Sequence, residues 1–179
     1  MSNRHQLVEH LHQLRADEQG TLFKEAELAV ALCYPSPYHV GMSSLGFQAV
    51  YREVHAHPRA TAERVFLPDD VEAWRAAKLP PLSIETNRPL GQFGLLAFSV
   101  AYELELPGLF ELLDLAGYPA HREARTDDMP LVVAGGPLTF SNPDPLEPFV
   151  DVLVQGEADD LIAPLLDAVL EGGGKRAVL

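Results

Sequence analysis

Four stretches of this sequence combine hydroxyls, amides and glycines in the manner of polar-ligand loops. The longest, residues 36–45, is stiffened by Pro35 and Pro37. It sets Tyr38, His39, Ser43 and Ser44 around the permissive Gly41 and the polarisable Met42. Backbone amides and hydroxyls beside a helix start are a ready seat for a phosphate or amide group, although the same residues also serve a plain helix-capping connection. Ser99 follows an apolar run, where its hydroxyl can bond a ligand edge or its own backbone, and Tyr102 comes three residues later. The run Gly135, Gly136, Pro137 permits positive φ or close approach to a flat ligand, and equally a tight turn. Gly156 and Glu157 lead into Asp159 and Asp160, acids that favour a helix N-terminus with or without a ligand.

Other chemistries lack their residues. Cys33 is the single cysteine, so no disulfide and no intramolecular multi-thiolate metal site can form, which suits a reducing cytoplasm. The pairs His10 and His12, and His55 and His57, have no third ligand nearby and read as solvated helix faces. Ser43 and Ser44 lack the Gly-x-Ser-x-Gly elbow of hydrolases. No Gly-x-x-x-x-Gly-Lys-Ser/Thr loop is present. With 26 acidic against 13 basic residues the formal charge is −13, the wrong sign for nonspecific binding to nucleic acid or anionic membrane. No apolar run approaches the roughly 20 residues of a membrane helix, and residues 1–17 do not resemble a signal peptide. The expectation is a cytoplasmic, soluble chain with neither membrane nor nucleic acid as partner.

These loops act together only if the elements between them bring them to one edge. Helical spacing of Leu7, Leu11 and Leu14 predicts a helix over 4–16, within an N-terminal extension of residues 1–24. The continuous apolar run 28–34 predicts a strand buried on both faces, and 64–67, 95–99, 131–134 and 151–155 read as four further strands. Between them lie helices expected after Ser43 or Ser44 (Leu45, Ala49, Val50 and Val54 inward), at about 69–78, at 105–116 and at 158–171. Alternating strands and helices predict an α/β domain over 25–171: a flavodoxin-like (Rossmann-like) five-stranded, mainly parallel sheet, helices on both faces, strand order 2-1-3-4-5. In that order ligands sit beyond the strands' carboxyl ends, at the switch point between strands 1 and 3. The glycines at 172–174 and the stub to Leu179 read as the start of a linker, 172–179, to a further domain.

Taken in order, several segments resemble one family. They are Tyr34-Pro-Ser-Pro-Tyr-His-Val-Gly-Met-Ser-Ser-Leu-Gly-Phe-Gln-Ala-Val-Tyr51, Ala62-Glu-Arg-Val-Phe-Leu-Pro68, Pro81-Leu-Ser-Ile-Glu85, Phe98-Ser-Val-Ala-Tyr-Glu103, Leu113-Asp-Leu-Ala-Gly117, Ala134-Gly-Gly-Pro137 and Asn142-Pro-Asp-Pro-Leu146, ending at Gly156-Glu157. The stretch, roughly 25–170, is similar to the N-terminal, cobalamin-binding-like domain of uncharacterised radical SAM proteins. The resemblance implies a domain that holds a corrin flat over the sheet edge. Beside it, in cis, would stand a radical SAM barrel carrying an iron–sulfur cluster and S-adenosylmethionine, here absent. It implies a cofactor-binding edge made of Tyr38, His39, Gly41, Met42, Ser43, Ser99, Tyr102, Gly135, Gly136, Pro137, Gly156 and Glu157.

Two departures matter. Cobalamin domains that supply a histidine to cobalt carry Asp-x-His-x-x-Gly; here Gly41 stands one residue short after His39, and Ser36 or Pro37 occupies the acid's place. The cluster motif Cys-x-x-x-Cys-x-x-Cys is missing. The chain alone is therefore not expected to be a catalyst, and the parent protein is expected to be a radical SAM enzyme. Three roles stay open: a cobalamin carrier, a ligand-free relic acting as a docking module, or a flavin or nucleotide binder. The last is disfavoured because Pro35 and Pro37 remove amide donors after strand 1. After anaerobic incubation with iron and sulfide, this chain should show no cluster absorbance and should not cleave S-adenosylmethionine. Stoichiometric cluster formation on the monomer would overturn that expectation.

Overall fold

The computed structural model describes residues 3–172, so most of the expected linker over 172–179 lies outside the described residues. Five strands, β1 (Leu28–Tyr34), β2 (Ala60–Phe66), β3 (Leu95–Ser99), β4 (Leu131–Gly135) and β5 (Val152–Leu153), form one sheet. Their order is β2-β1-β3-β4-β5 and every neighbouring pair is parallel. The flavodoxin-like order read from the alternation of elements is the observed one. β3 is the middle strand and β1 lies beside it.

The helices are α1 (Asn3–Ala16), α2 (Tyr38–Ser43), α3 (Leu45–Ala56), α4 (Val71–Ala76), α5 (Leu106–Leu115), α6 (Pro137–Ser141) and α7 (Ala158–Gly172). Side chains along a strand alternate between faces. Ala31 and Cys33 of β1 enter the core beneath α5, with Leu109, Leu112 and Leu113. Val30, Leu32 and Tyr34 enter the opposite core, with Phe47, Tyr51 and Val54 of α3 and Leu166 of α7. Burial on both faces is why β1 reads as a continuous apolar run.

Several local expectations change. Residues 38–43, expected as open loop, form the short α2, led in by Pro37, whose fixed φ suits a helix start. The buried face of α3 is Phe47, Tyr51 and Val54, while Leu45 is exposed. Ser44 caps α3 by accepting from the Phe47 amide. β2 begins at Ala60, four residues earlier than its apolar signal, because Thr61, Glu63 and Arg64 are buried polar residues inside it. β5 shrinks to two paired residues, and the Asp151 carboxylate takes the Val132 amide at its start.

An outer strand leaves a row of backbone groups unpaired. Here residues 82–89, closed by an antiparallel bridge between Leu82 and Pro89, lie along β2. The Ile84 amide donates to the Arg64 carbonyl at 2.8 Å, and the Arg64 amide donates to the Glu85 carboxylate at 2.7 Å. The Arg64 guanidinium, 3% exposed, also donates through Nε to Glu85 at 2.6 Å and through Nη2 to Glu18 at 2.7 Å. It lies over the Tyr51 ring. Glu18 belongs to the chain that follows α1 and straps round this edge. Leu22 pairs through both backbone groups with the Tyr51 hydroxyl, and Lys24 reaches the carbonyls of His55 and His57. α1 itself packs Leu7, Val8 and Leu11 against Trp74, Leu79 and Leu82.

Removing one partner of a buried pair leaves an uncompensated charge. Glu85→Ala should therefore cost roughly 3–5 kcal/mol in urea unfolding; a loss below about 1 kcal/mol, the range of exposed ion pairs, would contradict the role. Glu18 has a pH signature. Burial works to raise its pKa, but hydrogen bonds from Arg64, Tyr38 and Thr21 hold it below the ordinary value of 4.5. A depressed folded pKa gives stability that is complete above the unfolded value and lost as pH falls through the folded one. Glu18→Gln should flatten the acid limb of stability against pH. An unchanged slope below pH 4.5 would refute this.

Candidate functional site

Because the strands are parallel, the segments after β1, β3, β4 and β5 all emerge at one edge. Its central position, between β1 and β3, is the switch point, and protein atoms fill it. The carbonyl of Pro35, just past β1, sits so close to Gly108 of α5 that a Cβ there would lie 2.0 Å from the oxygen. Beside them is Glu105, 1% exposed. One of its carboxylate oxygens accepts from Ser36 Oγ at 3.3 Å and the other from the Ala101 amide at 2.6 Å. The carboxylate thus ties the loop after β1 to the loop after β3. Tyr34 ends β1 against it, and burial, with the Glu105 charge second, pushes the phenol up to about 12. Neither Glu105 nor Gly108 stood out in the sequence. The one signal was an acid between Leu104 and Leu106 at the start of an apolar helix.

The expected site residues divide. Tyr38 and Met42 turn away from the switch point towards β2: the Tyr38 hydroxyl donates to Glu18, and Met42 Sδ lies 3.2 Å from an Arg64 nitrogen. Gly41 packs under Phe66 and Tyr34, where a Cβ would come within 2.5 Å of a ring carbon. Ser43 donates to the Val40 carbonyl. His39 is exposed and packs edge-on against Tyr38. The other group does share the edge. Ser99 and Gly135 are register partners at the ends of β3 and β4, and Tyr102 stands exposed on the loop after β3.

Gly136 has φ 107°, and a Cβ there would lie 2.7 Å from the Val100 carbonyl oxygen. Val100 in turn donates to the Gly135 carbonyl at 2.9 Å and accepts from the Leu138 amide at 3.2 Å. The two-glycine turn is thus a lock between the loops after β3 and β4. Pro137 opens α6, and Thr139 Oγ1 lies 2.8 Å from the Gly136 carbonyl and 2.9 Å from the Val154 carbonyl. Gly156 has φ 146° and packs against Leu161, with Glu157 exposed beside it.

A cluster does not fit this chain. Cys33 is fully buried in mid-strand, and burial pushes its thiol far above the ordinary value. Among the described residues no three His, Cys, Asp or Glu side chains are placed to hold a metal. His39 is exposed on the short helix α2, its ring edge-on to Tyr38. None of the described helices is long and apolar enough to cross a membrane.

The fold and this edge define a doubly wound α/β module. Residues 46–178 match the family described as "Radical SAM proteins, N-terminal", and the chain belongs to that family. Neither a curated protein nor a solved structure matches the chain significantly. Membership makes this chain part of a radical SAM protein.

The glycine assignment is testable by stability. Gly136→Ala forces a side chain into positive φ and onto Val100, and should cost about 1–3 kcal/mol. Gly135, whose Cβ would meet Val154 at an ordinary 3.6 Å, should accept alanine within about 1 kcal/mol. Equal losses in urea unfolding would show that the two positions do not differ as described.

Proposed function

We propose that this chain is a non-catalytic docking module that seats the radical SAM domain of its parent protein. The observation that carries the reading is the closed switch point. Where sheets of this order usually hold a ligand, Glu105 bridges the two loops and Gly108 rests on Pro35. Tyr38, Gly41, Met42 and Gly136 each have a packing or hydrogen-bonding role that accounts for them without a ligand. The catalytic chemistry then falls to the neighbouring domain.

The corrin carrier is the second reading, and one observation favours it. Tyr102, Leu104 and Phe140 stand exposed after the adjacent strands β3 and β4, an apolar shelf of the sort a flat ring could lie on. Equilibrium dialysis against hydroxocobalamin separates the two. The docking reading expects no stoichiometric retention by the unmutated chain at tens of micromolar, a range where specific cofactor sites saturate. Retention would establish the carrier instead. A nitrogen hyperfine pattern in cob(II)alamin that vanished in His39→Ala would further place that histidine on the cobalt.

A further inference from the structure

Resting on the docking reading, we infer that the sheet's carboxyl edge is the docking face, and that it receives a protein surface with an apolar centre and a basic rim. Among the described residues seven large apolar side chains are exposed, and five stand on this edge. Val40 and Leu45 follow β1, Tyr102 and Leu104 follow β3, and Phe140 follows β4. Leu104 is 83% exposed, Leu45 79% and Phe140 58%. The three strands are neighbours about 4.8 Å apart, so the loops that carry these residues leave the sheet at the same edge. A grouped apolar patch with a polar margin marks an interaction site, whereas single scattered residues do not.

The margin is acidic. Glu103, Glu157, Asp159 and Asp160 are all exposed along it. No lysine or arginine occurs between Arg88 and Arg122, or between Arg125 and Lys175. Residues 35–45 contain none either, and His39 is the lone histidine among the four edge segments. Two copies of such an edge would repel each other, and a nucleic acid would be repelled too. A basic protein surface complements it, since like charges across an interface are penalised and opposite ones steer encounter. The occupant that fits is the radical SAM domain of the same polypeptide. α7 starts at the carboxyl edge and runs back for 15 residues, about 22 Å at 1.5 Å per residue. The chain therefore leaves at the far edge, and a returning linker needs at least about seven extended residues at 3.3–3.6 Å each.

Hydrogen–deuterium exchange on the full-length parent protein, compared with the 179-residue chain, tests the face. Amides in 38–45, 101–104 and 138–142 should exchange at least tenfold more slowly in the full-length protein. Raising sodium chloride to 0.5 M should shrink the difference, as should Leu104→Asp or Phe140→Asp. Protection confined to other surfaces, such as the strap around Phe23, would overturn the face but leave docking intact. No gain of protection anywhere in residues 3–172 would overturn docking itself. Protection that appeared in the 179-residue chain alone, rising with its concentration, would mean that the face meets a second copy, and would refute the basic partner.

Discussion

One buried cation organises the β2 side of this molecule. Arg64 sits in an outer strand, where an apolar residue would be the ordinary choice, and it draws three separate segments onto that strand. Glu85 brings the 82–89 segment, Glu18 brings the chain leading into β1, and Tyr51 offers its ring from α3. Desolvating an arginine costs several kcal/mol, and its two carboxylates do little more than offset that cost. The gain is arrangement. An uncovered β2 would present free amides to any other strand, and Arg64 with Glu85 fills that edge by using the same carboxylate for the guanidinium and for the backbone amide. The same 82–89 segment also satisfies Glu63, which accepts from the Ser83 and Thr86 hydroxyls, and β2 buries all seven of its residues.

The same logic recurs at the functional edge with an anion. Glu105 accepts from a serine hydroxyl and a backbone amide belonging to different loops. An open crevice between β1 and β3 would need those loops apart, so the carboxylate and the Pro35–Gly108 contact together decide that the crevice is closed. The family match begins at residue 46, one residue into α3, yet β1 lies upstream of it and pairs on both sides, with β2 over seven positions and with β3 over four. The matched stretch is therefore not a complete sheet by itself. The residues before it supply an interior strand, and with Glu18 a partner for Arg64.

Much of the fold was legible from local signals. β3 at Leu95–Ser99 and α7 starting at Ala158 coincide with their apolar runs and glycine stops, because both obey short-range rules. The early start of β2 was hidden because its buried charges are satisfied by residues 20 or more positions away, a contact no window of sequence contains. Inward placement of Leu45 failed for a related reason. Ser44 caps α3 and sets its phase, so Phe47, Tyr51 and Val54 turn inward and Leu45 turns to the exposed edge. The candidate site was half legible. Which loops share an edge follows from topology, and there Ser99 and Gly135 are register partners. Which side chains face that edge does not follow, because Tyr38 and Met42 answer to Glu18 and Arg64.

The two-glycine turn shows why a motif and a ligand should be argued separately. Gly135, Gly136 and Pro137 have the composition of a loop that lets a flat molecule approach the backbone, and that composition is part of what makes the chain resemble its family. Its geometry is nevertheless determined from inside. Val100 bonds to Gly135 and to Leu138, its carbonyl occupies the space a Gly136 side chain would need, and Thr139 closes the turn from below. A glycine required by its own protein's backbone carries no information about a ligand. What remains unexplained by internal contacts is the exposure of Leu45, Leu104 and Phe140. Burying side chains of that size is worth about 1.5–3 kcal/mol each relative to leaving them in water, a gain the isolated chain forgoes at all three positions.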